Sequence, residues 1–356
     1  MISSFGSWSV LTVSFLFVLY ISLAGVVLAS VLHLCNAKWR FQVRNLAVST
    51  AALFPVAGIM LLILLANYDT TFQWVQAEHG EDHHLPGWHN IGFLIGRQIA
   101  GFLFVAALAG LFIKYQRLSE IDSSYQVQRR FRNIALLIPF VYFGYGTMMG
   151  WDYEMTMVPN WHSSSYGAYH FQSMFHMYLA FFIVFLFFLN RSGRLVQPIP
   201  PHIFNFLAQF LLAMTILWTY LFFTQYLIMW YGRLPFETDR YDSMMLEGLG
   251  PVWWTFVVCK WAIPFAFLVI APTRVNPPLI TVLACLILFG TFLERYTWIS
   301  GSVDSQFYRM PMTSMFDIIV VLATIGVCWF VVSRTLVKYG LIHPSSKQAA
   351  APDRTG

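Results

Sequence analysis

Nine runs of apolar residues, each long enough to cross a bilayer, restrict a chain of 356 residues to one environment. They can be drawn at about 9–35, 45–66, 91–113, 133–150, 167–189, 203–230, 252–271, 279–299 and 315–336, and a membrane helix requires roughly 17 to 25 residues. The connections between them are brief, so a soluble domain has no room to form. Composition agrees, with 58% hydrophobic and 10% charged residues, where an ordinary soluble domain carries roughly 25% charged. Backbone amides inside hydrocarbon need partners within their own segment, so these runs are expected to be helices. The expectation is an all-α integral membrane protein with about nine transmembrane helices. The first run lacks a basic leading stretch and a small-residue cleavage pattern, and therefore reads as a retained helix rather than a signal peptide.

Orientation follows from the basic residues. Fifteen of the twenty-one fall on one side, among them Lys38, Arg40, Arg44, Arg129, Arg130, Arg132, Arg191, Arg194 and Arg274. The loops of the other side hold only Arg233, Arg240, Arg295 and Arg309, and Arg97 and Lys260 lie within helices. The positive-inside rule then puts the N-terminus outside and the C-terminus in the cytoplasm, and it explains the net charge of +5 without nucleic acid. Most acids lie toward the outer face, as do Trp8, Trp74, Trp88, Trp151, Trp161, Trp230, Trp253, Trp254 and Trp298. Aromatic belts ordinarily form at both interfaces, so this surplus points to a partner docking outside.

Absences narrow the chemistry. Cys35, Cys259, Cys285 and Cys328 stand alone and match no spacing for an iron–sulfur cluster or a covalently attached haem. His170 and His176 share one helix, which disfavours a haem held between two helices. No nucleotide-binding or nucleophile-elbow pattern occurs in a suitable context. No catalytic or metal-ligating set is therefore expected, and any electrons would be carried by another subunit.

Charge inside a membrane is expensive and marks a functional candidate by default. At 1.5 Å per residue, Lys260 falls roughly 12 Å and Glu294 roughly 8 Å below the outer ends of their helices, so the two could meet. Arg97 and Gln98 lie near the same level, with Gln172, Ser173 and His176 beside them and His170, Asp152 and Glu154 above. The inner half offers little beyond His33 and Gln209. The reading is a one-sided polar pocket, able to accept a quinol headgroup from the lipid phase and to exchange protons with the outer compartment. The competing reading makes Lys260–Glu294 a structural ion pair and the histidines bridges between helices.

The segment "WDYEMTMVPNWHSSSYGAYHFQSMFH" at 151–176 resembles a pattern of the NrfD-like membrane subunits, the polysulfide-reductase anchor superfamily. Its matching positions are Trp151, Asp152, Met155, Pro159, Trp161, Ser163, Gly167 and Tyr169. Two further segments resemble above all the F subunit of bacterial alternative complex III. These are "TQYLIMWYGRLPFET" at 224–238, with Gln225, Tyr226, Trp230, Tyr231, Pro235, Glu237 and Thr238, and "FLERYTWIS" at 292–300. The resemblance implies two four-helix bundles, at 41–200 and 201–340, flanked by an N-terminal helix at 1–40 and followed by a cytoplasmic tail at 341–356. Members of the family usually carry a tenth helix. The resemblance further implies a place in the bacterial cytoplasmic membrane, within a complex that oxidises menaquinol or ubiquinol. The partners would be a sister NrfD-like subunit, an iron–sulfur or molybdopterin-like subunit and multihaem c-type cytochromes. The sister subunit is the one that carries the more secure quinol site. Three functions stay open: a quinone-binding or proton-conducting subunit, a cofactor-free anchor for the redox subunits, and a secondary transporter, for which Pro55, Pro139 and Pro264 are the only helix-breaking candidates.

Overall fold

The computed structural model describes residues 2–75, 85, 87–303, 305 and 308–343, so most of the expected tail lies outside the described residues. Nine described helices are long and apolar enough to cross a membrane. They are α1 (Ile2–Leu34, apolar from Trp8), α2 (Arg40–Ala66), α3 (Ile91–Ile121), α4 (Tyr125–Met155), α5 (Tyr166–Arg191) and α6 (Pro201–Gly232), then α8 (Gly250–Leu268), α9 (Pro277–Ser300) and α10 (Met315–Lys338). Between α6 and α8 lies α7 (Pro235–Leu246), which is short and polar. The described residues form no strand, only an isolated bridge between Leu195 and Ile342. The protein is an all-α integral membrane protein, as expected.

Local chemistry sets the ends of the helices. Asn90 accepts the Phe93 amide at 2.9 Å and so caps α3, and Ser314 with Asp317 forms a reciprocal capping box on α10. Asn276 followed by two prolines opens α9, where proline's missing N–H costs nothing. The fourth apolar run, expected at 133–150, is a longer helix than its hydropathy indicates. Its first turns carry Arg129, Arg130 and Arg132, which belong to the interface rather than to the hydrocarbon.

The resemblance places the first helix at the flank, whereas the structure puts it in the middle. α1 touches α2, α4, α5, α9 and α10, and most of its side chains are buried. An apolar surface all round a helix suits enclosure by other helices. A second hub is α5, which packs on α4, α6 and α9. By contrast, α10 leans on α1 and α2 and leaves most of its surface exposed.

Two spans depart from α-helical winding. In α4 the Thr156 amide donates to the Trp151 carbonyl at 2.9 Å, closing a π-turn over Trp151–Met155. In α8 the Ile263 amide does the same to Val258, over Val258–Ala262. Such turns insert a residue into the helix, redirect its side chains and recur at functional sites. One carries Asp152 and Glu154, the other Lys260.

Candidate functional site

Five ionisable side chains on four helices form one network with no solvent exposure: Glu154, His170, Lys260, Glu294 and Arg295. Lys260 of α8 donates a short hydrogen bond to Glu294 of α9 and another to the Ser173 hydroxyl at 2.6 Å. Glu294 also accepts from Tyr169, from Ser173 at 2.8 Å and from the Trp218 indole at 2.8 Å. Arg295 lies between the two carboxylates, 3.2 Å from Glu294 and 2.5 Å from Glu154. Glu154 accepts in addition from Tyr166 at 2.6 Å and meets Nδ1 of His170 at 2.8 Å. Formally two cations face two anions, so the network stays neutral when His170 is neutral. That balance is what makes full burial affordable in a medium of low dielectric.

Two glycines let the backbones come close enough. A Cβ at Gly290 of α9 would lie 2.7 Å from the Lys260 amide nitrogen, and one at Gly150 of α4 would lie 2.8 Å from Cγ of His170. Both distances are too short for any carbon, so the π-turn of α8 and the ring of His170 each occupy space that only glycine leaves.

His170 has a partner for either protonation state. Its Nε2 lies 2.9 Å from the Tyr20 hydroxyl of α1, which also lies 3.4 Å from the Gly146 carbonyl. Nδ1 faces both Glu154 at 2.8 Å and Nη1 of Arg295 at 3.0 Å. The neutral imidazole therefore either donates from Nδ1 to Glu154 and accepts from Tyr20 at Nε2, or accepts from Arg295 at Nδ1 and donates from Nε2 to Tyr20. When it is protonated, Nε2–H donates to Tyr20, whose own proton turns to the Gly146 carbonyl. A rotating hydroxyl thus serves both forms.

Arg97 and Asp152 form a second, separate group. Arg97 holds Asp152 through two hydrogen bonds, of 3.0 Å and 2.7 Å, and donates a third to the Trp88 carbonyl at 2.9 Å. Gln98 donates to the same carboxylate at 2.5 Å, and the guanidinium lies over the Trp88 ring. Arg97 therefore joins Asp152 rather than the Lys260 network with which its depth had grouped it. The inward histidine, His176, meets Thr215 at 3.1 Å. Gln172 donates to the Met214 carbonyl at 2.6 Å, so both of these residues reach toward α6.

Three contributors were misplaced or passed over in the sequence reading. Arg295, assigned to an outer loop, is buried in α9, where it is the link between the two glutamates. Its adjacency to Glu294 in an apolar run was the available signal. Tyr20 carries no such signal, because a lone tyrosine on an apolar helix reads as packing. Arg240 of α7, also placed in a loop, is buried and closes the site from outside, donating to the carbonyls of Glu154 at 2.8 Å, Met155 at 3.2 Å and Trp298 at 3.0 Å. Burial holds its guanidinium below the usual arginine value.

The residues that carried the resemblance differ in burial. Trp161 and Gln225 are buried, bonded to the Glu237 carbonyl at 3.2 Å and the Tyr241 hydroxyl at 2.8 Å respectively. Trp151 and Pro159 are partly covered, while Tyr226, Trp230, Tyr231 and Pro235 are exposed around α7.

The charged residues of the network pack against one another. The groove between α2, α3 and α10 and the cavity between α1, α5, α9 and α10 are lined by none of Lys260, Glu294, Glu154, His170 and Arg295. Each of these side chains is engaged by another. Fold and site together define a multi-pass membrane protein with an intramembrane charge network. Set against models of known families and against curated proteins, the sequence matches none.

Proposed function

We propose that this chain is a proton-handling membrane subunit of a respiratory quinol:acceptor oxidoreductase, of the kind found in alternative complex III. The observation that supports it is the buried network itself, which holds five ionisable groups where hydrocarbon would exclude each of them singly. In this reading His170 takes up a proton next to Glu154, and the Tyr20 hydroxyl turns to accommodate it. Lys260 and Glu294 share a second proton through Ser173 and their direct contact. Asp152, two residues from Glu154 on the same π-turn, stays paired with Arg97 beside this network. The complex would lie in the bacterial cytoplasmic membrane with the N-terminus outside, as the basic residues indicate.

In this reading the network moves protons only, and quinol oxidation falls to a sister subunit. Iron–sulfur or molybdopterin-like and multihaem cytochrome subunits would carry the electrons, docked over the exposed Tyr226, Trp230 and Tyr231 of α6. A cofactor-free anchor is the second reading, favoured by the same packing and charge balance. The test is to isolate the chain with its partners from native membranes and compare wild type with His170→Gln. Proton handling predicts an assembled complex whose quinol oxidation slows at least tenfold. An assembled complex with unchanged turnover leaves the anchor.

A further inference from the structure

A groove of about 660 Å³ opens at the arginine-rich end, between α2, α3 and α10. Its wall is apolar and small, including Ala52, Ala106 and Gly110, and its mouth carries Arg117 of α3 and Lys338 at the end of α10. Arg117 lies 4.0 Å from the centre of the Tyr339 ring, and the Lys338 ammonium approaches the same ring at 6.0 Å. Neither cation has a carboxylate partner among the described residues, since Glu120, which also lines the groove, is bound to Arg44 at 2.7 Å. The groove therefore has an apolar trough in the hydrocarbon and two uncommitted positive charges at headgroup depth.

We infer that this groove binds one anionic phospholipid, with the phosphodiester between Arg117 and Lys338 and an acyl chain laid along the Ala/Gly wall. Charge complementarity chooses the occupant. A neutral lipid or an apolar helix of another subunit would leave both cations without a counterion, whereas a phosphate offers oxygens to both. The position of α10 supplies the consequence. It leans on α1 and α2 with most of its surface exposed, so a lipid at this seam holds it against α3.

The experiment is native mass spectrometry of the full chain in detergent, titrated with phosphatidylglycerol or phosphatidylcholine. Wild type is expected to bind the first phosphatidylglycerol at least tenfold more tightly than phosphatidylcholine. The double variant Arg117→Gln/Lys338→Gln should lose roughly fivefold for each charge removed, while Arg129→Gln/Arg130→Gln, exposed at the same end of α4, should keep the wild-type preference. Filling the trough gives a second arm: a side chain at Gly110 meets open space, so Gly110→Leu should fold normally and lose the tight site with Arg117 and Lys338 intact. The inference fails if wild type shows no preference between the two lipids, if the Arg129/Arg130 control loses as much, or if Gly110→Leu retains the site. It fails equally if the native protein carries a second polypeptide in the groove in place of lipid.

Discussion

Two ion-paired regions on different helices, one between α2 and α3 and one among α4, α8 and α9, follow different physical rules. At the arginine-rich end Arg44 and Glu120 meet at 2.7 Å with side chains 12% and 34% exposed. At the other end Lys260, Glu294, Arg295 and Glu154 meet at similar distances with no exposure at all. The first pair can exchange its partner for water or lipid headgroups, and such pairs contribute about 0–1 kcal/mol. Each member of the second set depends on the others, because a lone charge left in the interior has nothing to replace its partner. Proximity is shared by both regions, so burial is what makes one of them a coupled unit.

The sharpest way to break this contrast is Arg295→Met. It leaves Glu154 and Glu294 facing each other with one cation fewer, and about 3–5 kcal/mol of stability should be lost, read as thermal unfolding in detergent or as failure to accumulate in the membrane. A loss below about 1 kcal/mol would place the network with ordinary surface pairs. Gly290→Ala probes the packing that brings α9 to the α8 π-turn. Its added carbon would lie 2.7 Å from the Lys260 amide, and overpacking of this kind costs about 1–3 kcal/mol, measured by the same melt. Smallest is Arg44→Gln at the opposite end, expected to shift stability by under about 1 kcal/mol. A larger effect there would show that exposure does not separate the two regions.

Much of this arrangement could be read from the sequence, and where the reading stopped has physical causes. Hydropathy delimits the nine spans, because hydrocarbon imposes the same requirement on each. It does not separate α1 from α10, which are almost equally apolar, yet one is enclosed by protein and the other faces outward. Lipid and protein interior are alike to an apolar side chain, so the central place of α1 was hidden. The depth of Lys260 and Glu294 followed from counting residues, and they do meet. Which partner each charge selects did not follow, because the π-turns at Trp151–Met155 and Val258–Ala262 rotate Asp152, Glu154 and Lys260 away from their α-helical directions. Hence Arg97, at a depth that suits Lys260 and Glu294, pairs instead with Asp152. Arg295 was lost for another reason: its neighbours Tyr296, Trp298 and Ser300 resemble an interfacial rim, whereas all of them are buried.

The central claim is that this network carries protons as well as joining helices, and a neutral double replacement tests it most directly. Lys260→Met/Glu294→Gln removes one cation and one anion together, which preserves charge balance and leaves Arg295 with Glu154. In the assembled complex, reconstituted in liposomes and driven by quinol, the measurement is the number of protons released per electron transferred. Proton handling predicts that electrons still flow while the ratio falls below that of wild type. An unchanged ratio at unchanged turnover would contradict it and leave a charge cluster that only holds helices together.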